Sequence, residues 1–175
     1  HKLIFEIQCS LITQKESQER IKDYASMGYQ VVWLLDDRLF NRKHLRAAEL
    51  FLRENTCYYL HYQRAIHSLF YDQFELIRES TRLKKGPRAA IHLTHPRHMP
   101  SSLPENSLPR QVLQRKENWP LFFEGDIVHR ALLSQTSRPL AVSMQNWIFL
   151  ENSLPLPTKT NKPKIPRWLF TSFCR

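Results

Sequence analysis

The sequence predicts an α/β fold in which a mixed sheet is packed by flanking helices. Two strongly apolar runs, residues 2–9 and 29–35, are typical of strands, and a helical pattern separates them. A strand, a helix and a second strand within about 35 residues form a βαβ unit, whose two strands are parallel. All eleven prolines lie from Pro87 onward, so we expect a regular domain over residues 1–86 and a loop-rich basic region over residues 87–175.

The residues around the first helix mark both of its ends. Thr13 and Glu16 match a capping box, which predicts a helix that begins at Gln14. Gly28 stands where a glycine commonly ends a helix. The run 29–35 is almost continuously apolar, as expected for a central strand that is covered on both faces.

Further elements are predicted downstream of this unit. Residues 43–54 have the pattern of a second helix, and residues 56–62 have that of a third strand. Residues 65–85 fit either a hairpin that turns around residues 72–73 or a helix in their second part, and we favour the hairpin. Residues 94–110 are expected to be an irregular connection because prolines recur in them.

The charge of the chain points to an anionic partner. The 175 residues carry a formal net charge of +10, and nucleic acid is the most common reason for such a surplus, because each Lys or Arg that neutralises a phosphate releases a counterion. An anionic membrane surface and plain basicity are the alternatives, but the chain has no strongly basic amphipathic helix and no apolar run long enough to span a bilayer. The three widely spaced cysteines form no disulfide framework, which favours the reducing cytoplasm.

Four cations in the second half lie close together without an intervening acid. We expect them either to contact phosphates or to form a solubilising tail. They are Lys159, Lys162, Lys164 and Arg167. In the same basic and proline-rich half, Trp119, Trp147 and Trp168 could either stack on the bases of single-stranded DNA or cover the sheet.

The first strand contains an unexpected carboxylate. Alternation along a strand places Glu6 and Gln8 on the same face, within a run that is otherwise apolar. A carboxylate inside a sheet is costly unless it is paired or bound to a metal. A carboxylate that binds Mg²⁺, beside a polar group that orients water, is suited to phosphodiester hydrolysis. The alternative is that Glu6 faces solvent at a strand end or pairs with Lys2 or with an arginine of the helix.

Arg20 and Tyr24 lie one helical turn apart and therefore share a face of the predicted helix. Both lie beside apolar positions that must rest on the sheet. Arg20 could hold a phosphate or orient Glu6, and the alternative is a surface arginine whose stem alone packs on the sheet.

Asp36 and Asp37 follow the second strand, near a sheet terminus where functional sites gather. We assign them to a turn, because aspartate favours turns.

Three segments resemble the CoiA-like competence protein family. They are F-E-I-Q-C-S at 5–10, E-S-Q-E-R-I-K-D-Y at 16–24 and G-Y-Q-V-V-W-L-L at 28–35. The family has an E-I-Q-x-S strand, a helix with an E-R-x-x-x-Y pattern and a G-x-x-V-x-W-I-L strand in this order. It is similar to nucleases of the PD-(D/E)XK fold, with Gln in place of the usual Lys. The resemblance covers residues 4–36 and implies a restriction-endonuclease-like mixed sheet.

The resemblance implies a role for each matched residue. Glu6 is implied to be a metal-binding acid, with the backbone carbonyl of Ile7 as a further ligand of Mg²⁺ or Mn²⁺. Gln8 is implied to replace the catalytic Lys and to position water or phosphate. Arg20 and Tyr24 are implied to complete the catalytic group.

Ser10, with Arg20, is implied to contact nucleic acid near that group. The family also places an aspartate on a strand that precedes the E-I-Q motif, and none of the five residues before Glu6 is acidic. Since the chain also begins without methionine, we expect an N-terminally truncated fragment that binds metal poorly and cleaves slowly or not at all, whereas the longer protein could cleave DNA.

Three functions follow as hypotheses. The leading one is a metal-dependent DNA nuclease or DNA-processing factor that acts in competence on incoming single-stranded DNA, with recombination proteins as further partners. The alternative is a non-catalytic DNA-binding recombination mediator on a degenerate nuclease scaffold, which predicts salt-dependent DNA binding without a metal. The third is a basic protein-interaction module that uses the aromatic and proline-rich second half.

Overall fold

A computed structural model describes residues 2–62, 68–100 and 108–154. In these ranges strands and helices alternate along the first third of the chain, short strands follow, and helices dominate the last part. The strands are β1 (Lys2–Gln8), β2 (Tyr29–Asp36), β3 (Cys57–His61), β4 (Leu69–Asp72), β5 (Glu75–Arg78), β6 (Thr81–Lys85), β7 (Ala89–Ala90), β8 (His92–His98) and β9 (Leu121–Glu124). The helices are α1 (Gln14–Ser26), α2 (Asp37–Phe40), α3 (Ala47–Glu54), α4 (Arg110–Asn118), α5 (Ile127–Leu133) and α6 (Arg138–Ser153).

A five-stranded mixed sheet forms the centre of the described structure, which confirms the predicted α/β class. Its strand order is β1-β2-β3-β4-β7. Strands β1, β2 and β3 are parallel, and β4 and β7 join antiparallel. Strand β2 lies between two neighbours and is almost completely buried, as its continuous apolar run predicts.

Helix α1 begins and ends where the sequence predicts. The Thr13 hydroxyl accepts a hydrogen bond from the backbone N–H of Glu16 at 3.2 Å, and the Glu16 carboxylate accepts one from the backbone N–H of Thr13 at 2.7 Å. This reciprocal pair satisfies two of the free N–H groups at the helix start. The helix ends at Ser26, and Gly28 follows with a φ of +78°, a conformation that favours glycine.

Apolar side chains cover the sheet on both of its faces. On one face α1 and α3 pack over Trp33 and Leu35 of β2, and on the other face Val32 and Leu34 pack against residues from the second half of the chain. Those residues are Ile91, Trp119, Leu121 and Phe123. The division of the chain after residue 86 into two domains stays a prediction, although residues on both sides of it share this cluster.

The predicted hairpin around residues 72–73 is wrong. Strands β4 and β5, which precede and follow these residues, belong to different sheets. Asp72 is 1% exposed and accepts a hydrogen bond from the backbone N–H of Ile127, so it is an interior anchor and not a surface turn. The hairpin instead joins β5 to β6 through Glu79 and Ser80, both with positive φ. Two positive φ values suit a tight hairpin turn, but neither residue is the glycine or asparagine that usually signals one.

The second half is more regular than its prolines predict. Residues 108–154 form α4, β9, α5 and α6. The prolines allow this because Pro109 precedes the first residue of α4 and Pro139 lies in the first turn of α6, where a missing N–H costs little. Residues 94–98, expected in an irregular connection, belong to β8, whose pairing with β9 shifts register between His92 and Arg97. The helix predicted over residues 43–54 corresponds to α3 and is shorter than predicted, since it begins at Ala47.

Membrane-spanning helices are absent from residues 2–62, 68–100 and 108–154, because no helix there combines enough length with enough apolar character.

We expect the protein to lose stability at alkaline pH because it buries three tyrosines. Burial raises the pKa of Tyr58, Tyr59 and Tyr71 above the ordinary tyrosine value, and carboxylates beside them add to the effect. Above about pH 10 the unfolded chain loses tyrosine protons while the folded chain keeps them, so the free energy of unfolding falls with rising pH. Urea unfolding between about pH 8 and pH 11 measures this slope. We expect Tyr71→Phe to flatten it; an unchanged slope in that variant would contradict the assignment.

Candidate functional site

Strand β1 and helix α1 bring the predicted catalytic residues together. In the parallel register Glu6 lies opposite Trp33 of β2, so its side chain lies on the same face as Trp33, the face that α1 covers. Helix α1 places Arg20 and Tyr24 above this face, one turn apart. The predicted alternation of β1 and the predicted face of the helix are both confirmed.

Both oxygens of Glu6 accept hydrogen bonds from α1. Arg20 Nη1 donates to Glu6 Oε1, and the Tyr24 hydroxyl donates to Glu6 Oε2 at 2.8 Å. The side chain of Glu6 is 18% exposed and that of Arg20 is 44% exposed, so this ion pair is open to solvent on one side. The hydrogen bond to Glu6 and burial raise the pKa of Tyr24. Tyr24 therefore stays protonated near neutral pH and acts as a donor.

Gln8 is held in one orientation by its two neighbours. Its side-chain oxygen accepts from Arg20 Nη1 at 3.3 Å, and its Nε2 donates to the backbone oxygen of Ser10 at 2.7 Å and to the Ser10 hydroxyl at 3.1 Å. Gln8 is 5% exposed, so a competing water has little access to the amide. Glu6, Gln8, Ser10, Arg20 and Tyr24 thus form one connected hydrogen-bonded group, the Glu6 cluster.

Strand β1 lies at one end of the described sheet, although the sequence places it inside. Its outward face carries Phe5 and Ile7, which are 41% and 54% exposed, while its other face carries Glu6 beneath α1. Glu6 is therefore shielded mainly by the helix. Of the alternatives predicted for Glu6, the ion pair with an arginine of the helix is the one that the structure contains.

The Glu6 cluster offers few ligands for a divalent metal. Among the described residues, no group of three or more His, Cys, Asp or Glu side chains could hold a metal ion. Glu6 is the one carboxylate of the cluster and both of its oxygens are engaged, which leaves the backbone carbonyl of Ile7 as the other ligand implied by sequence. Mg²⁺ needs a nearly octahedral set of oxygen ligands. These residues alone do not complete such a set.

Several residues with predicted roles lie away from this cluster. Trp119 and Trp147 are 8% and 7% exposed and pack inside apolar clusters. Their rings are therefore core side chains and are not available to stack on the bases of single-stranded DNA. The predicted phosphate-contacting cations lie outside the described residues, as does Trp168. These cations are Lys159, Lys162, Lys164 and Arg167.

The assignment of Asp36 and Asp37 to a turn is incomplete. Asp36 caps α2, accepts from the backbone N–H of Arg38 at 3.0 Å and also pairs with the Arg38 guanidinium. These bonds lower the pKa of Asp36. Asp37 is 8% exposed and bonds His61 of β3, a long-range contact that the turn assignment does not predict. The sequence feature that could have indicated this contact is the position of Asp37 at the carboxyl end of a parallel strand, where side chains from neighbouring strands meet.

Comparison with known proteins identifies the first half of the chain. Residues 1–96, more than half of the 175 residues, match the family model described as competence protein CoiA, nuclease-like domain. A search of curated proteins and a search of solved structures found no match.

Proposed function

Because the chain belongs to the competence protein CoiA family through its nuclease-like domain, we propose that it processes incoming DNA during natural transformation. The observation that carries this proposal is the Glu6 cluster. In this cluster Glu6 of β1 meets Arg20 and Tyr24 of α1 at a partly exposed position. A cluster with one acid, one guanidinium and one oriented amide supports a phosphodiester site, since it can contact a phosphate and contribute one carboxylate ligand to a metal.

The cluster contains a group for each part of phosphate binding. Arg20 is 44% exposed and carries the cation that can contact a phosphate oxygen, while Tyr24 keeps its proton and holds Glu6 in place. The Gln8 amide is fixed between Arg20 and Ser10 and is nearly closed to water, so in this proposal it holds Arg20 in place, and it would orient a water molecule or a phosphate oxygen only after exchanging one of these bonds. Gln8 carries no charge, so it stabilises an anionic transition state less than the usual lysine would.

Cleavage in this proposal depends on Mg²⁺ or Mn²⁺, which supplies activation of water and neutralisation of phosphate charge. Glu6 and the backbone carbonyl of Ile7 are the proposed protein ligands. Because Glu6 is the one carboxylate of the cluster and both of its oxygens are engaged by Arg20 and Tyr24, we expect weak metal binding and slow cleavage by this chain.

Substitution of Glu6 tests the catalytic proposal. We expect the wild-type chain to cleave single-stranded DNA slowly with Mg²⁺ or Mn²⁺ and not with a chelator, and Glu6→Gln to reduce the metal-dependent rate by about 100-fold or more. Gln keeps the size of Glu but loses the charge, and its amide nitrogen cannot accept one of the two hydrogen bonds that the Glu6 oxygens accept. The matched control is Glu117→Gln, an exposed acid on α4, which should keep the wild-type rate.

The outcomes of this experiment separate the candidates. Equal metal-dependent cleavage by wild type and Glu6→Gln would remove Glu6 from the mechanism. Absence of metal-dependent cleavage by the wild-type chain, with DNA binding retained in a chelator, would support the second candidate.

The second candidate is a DNA-binding recombination mediator on a degenerate nuclease scaffold. It is favoured by the engagement of both Glu6 oxygens by Arg20 and Tyr24, which leaves neither oxygen free for a metal ion. It predicts that Glu6→Gln leaves DNA affinity unchanged and that affinity falls steeply with salt.

A further inference from the structure

Two segments that contain cations and no acid are hydrogen-bonded to each other. Residues 38–46 follow β2, and residues 81–88 comprise β6 and the connection to β7. Exposed cations from both segments form what we term the cationic surface. Its members are Arg38, Arg42, Lys43, Lys85 and Arg88.

Backbone contacts hold the two segments together. The backbone N–H of Arg82 donates to the carbonyl of Lys43 at 2.7 Å, and the buried Arg82 guanidinium donates to the carbonyl of Arg42. Lys85 Nζ donates to the carbonyl of Asn41 at 2.9 Å. The loop that carries Arg42 and Lys43 is thereby fixed against β6, which gives the cationic surface a defined shape.

A buried carboxylate orients the other end of the cationic surface. Asp37 Oδ2 lies 2.8 Å from His61 Nδ1 and 3.4 Å from Arg88 Nη2. The Arg88 guanidinium also lies over the ring of Tyr71, 4.7 Å from its centroid. Arg88 is 46% exposed and His61 is 31% exposed, so both side chains are positioned from inside and open to solvent.

The positive charges of this surface are only partly compensated. Of the acids beside it, Asp36 and Asp37 are 2% and 8% exposed, and Asp36 is occupied by Arg38. Partial burial and the positive charges of Arg82 and Arg88 lower the pKa of Lys85. Repulsion between neighbouring cations is relieved when an anion binds between them.

We propose that the cationic surface binds the sugar–phosphate backbone of DNA. It shares no residue with the Glu6 cluster, and the side chains of Arg42 and Lys43 are exposed and available for phosphate contacts. The spread of cations over two segments suits a chain of phosphates better than a single phosphate ion. The choice of DNA as the partner rests on the proposed function, whereas the binding itself requires neither metal nor cleavage.

The test measures the salt dependence of DNA binding by the 175-residue chain in a chelator. The probe is a fluorescent single-stranded oligonucleotide of about 20 nucleotides, long enough for several phosphate contacts. The variant is Arg42→Gln/Lys43→Gln, and the matched control is Lys15→Gln/Arg138→Gln, which removes the same charge from exposed positions on α1 and α6. We expect the variant to bind about 10- to 50-fold more weakly at 0.1 M salt and to lose about 1.4 from the slope of log affinity against log salt.

Each other result overturns the proposal. Equal weakening by the variant and its control would show attraction by net charge alone, and wild-type affinity in the variant would exclude this surface. Binding to anionic phospholipid vesicles that depends on Arg42 and Lys43, without binding to the oligonucleotide, would make a membrane surface the partner. Thermal unfolding of each variant checks that it is folded. A Glu6→Gln chain should bind the oligonucleotide normally in the chelator, so failure of the cleavage proposal would be seen separately.

Discussion

Replacing Arg82 with Met is expected to lower the free energy of unfolding by about 3–5 kcal/mol, because it leaves the buried Glu49 without its ion-pair partner and leaves Glu75 with Arg53 alone. The Arg82 side chain is 1% exposed and pairs with Glu49, which is 3% exposed, and with Glu75, which is 0% exposed. It also donates to the Tyr59 hydroxyl at 3.0 Å. Met fills a similar volume but offers no charge and no donor.

The response to pH identifies the cause of this loss. Burial raises the pKa of Glu49, and the charge of Arg82 opposes that rise. Without Arg82 the pKa of Glu49 in the folded variant rises further above its value in the unfolded chain. The free energy of unfolding of the variant is therefore highest at a pH below the Glu49 pKa of the unfolded chain, and it falls as the pH rises. We therefore expect the difference between wild type and Arg82→Met to be smaller near pH 5 than near pH 7.

Urea unfolding measures this prediction, with Arg97→Met as the control. Arg97 pairs with Glu124 at 3.9 Å, and their side chains are 56% and 55% exposed, so its loss should cost less than about 1 kcal/mol. The double variant Arg82→Met/Glu49→Gln should recover at least about 1 kcal/mol, because one uncompensated charge is removed. Equal losses in Arg82→Met and Arg97→Met would contradict the buried network.

Replacing Gly125 with Ala is expected to cost about 3–5 kcal/mol, since a strained backbone and a steric clash add together. Gly125 has a φ of +90°, and a Cβ built on it would lie 2.0 Å from the carbonyl oxygen of Ala90. That carbonyl belongs to β7, the last strand of the central sheet. The tight approach places the start of α5 against the sheet, so the backbone would have to separate.

Gly28→Ala is the matched control for Gly125→Ala. Gly28 has a φ of +78°, but a Cβ there meets nothing within 4 Å. The Gly28→Ala variant therefore has the backbone strain without a steric clash, and we expect its free energy of unfolding to fall by about 1–2 kcal/mol. Thermal unfolding of the two variants separates strain from clash, and a Gly125→Ala chain as stable as Gly28→Ala would contradict the close contact with Ala90.

The Glu6 cluster could be predicted because its geometry depends on short periods. Alternation along β1 sets Glu6 and Gln8 on one face, and a helical turn sets Arg20 beside Tyr24. The capping box starts α1 at Gln14, which fixes how the helix face meets the strand. The cost of burying a carboxylate then required a partner for Glu6, and the structure provides Arg20 and Tyr24.

The split between β4 and β5 could not be predicted from local signals. Asp72 follows an apolar run and resembles a turn residue, but the tertiary structure buries it beside Arg115 and the start of α5. The true turn at Glu79 and Ser80 lacks the usual residue types. Likewise, prolines indicate breaks in regular structure but not whether helices form between them, as they do over residues 108–154.

The βαβ unit, the ends of α1 and the meeting of Glu6 with its neighbours follow from the amino-acid pattern, because each depends on residues within a few positions of one another or on adjacent elements. The buried Arg82 network and the cationic surface arise from tertiary packing, in which residues near 42 meet residues near 85. Their partners are separated by about 40 residues, and no local periodicity encodes which distant segments come together. That choice is made by burial of the sheet and by the requirement that buried charges be paired.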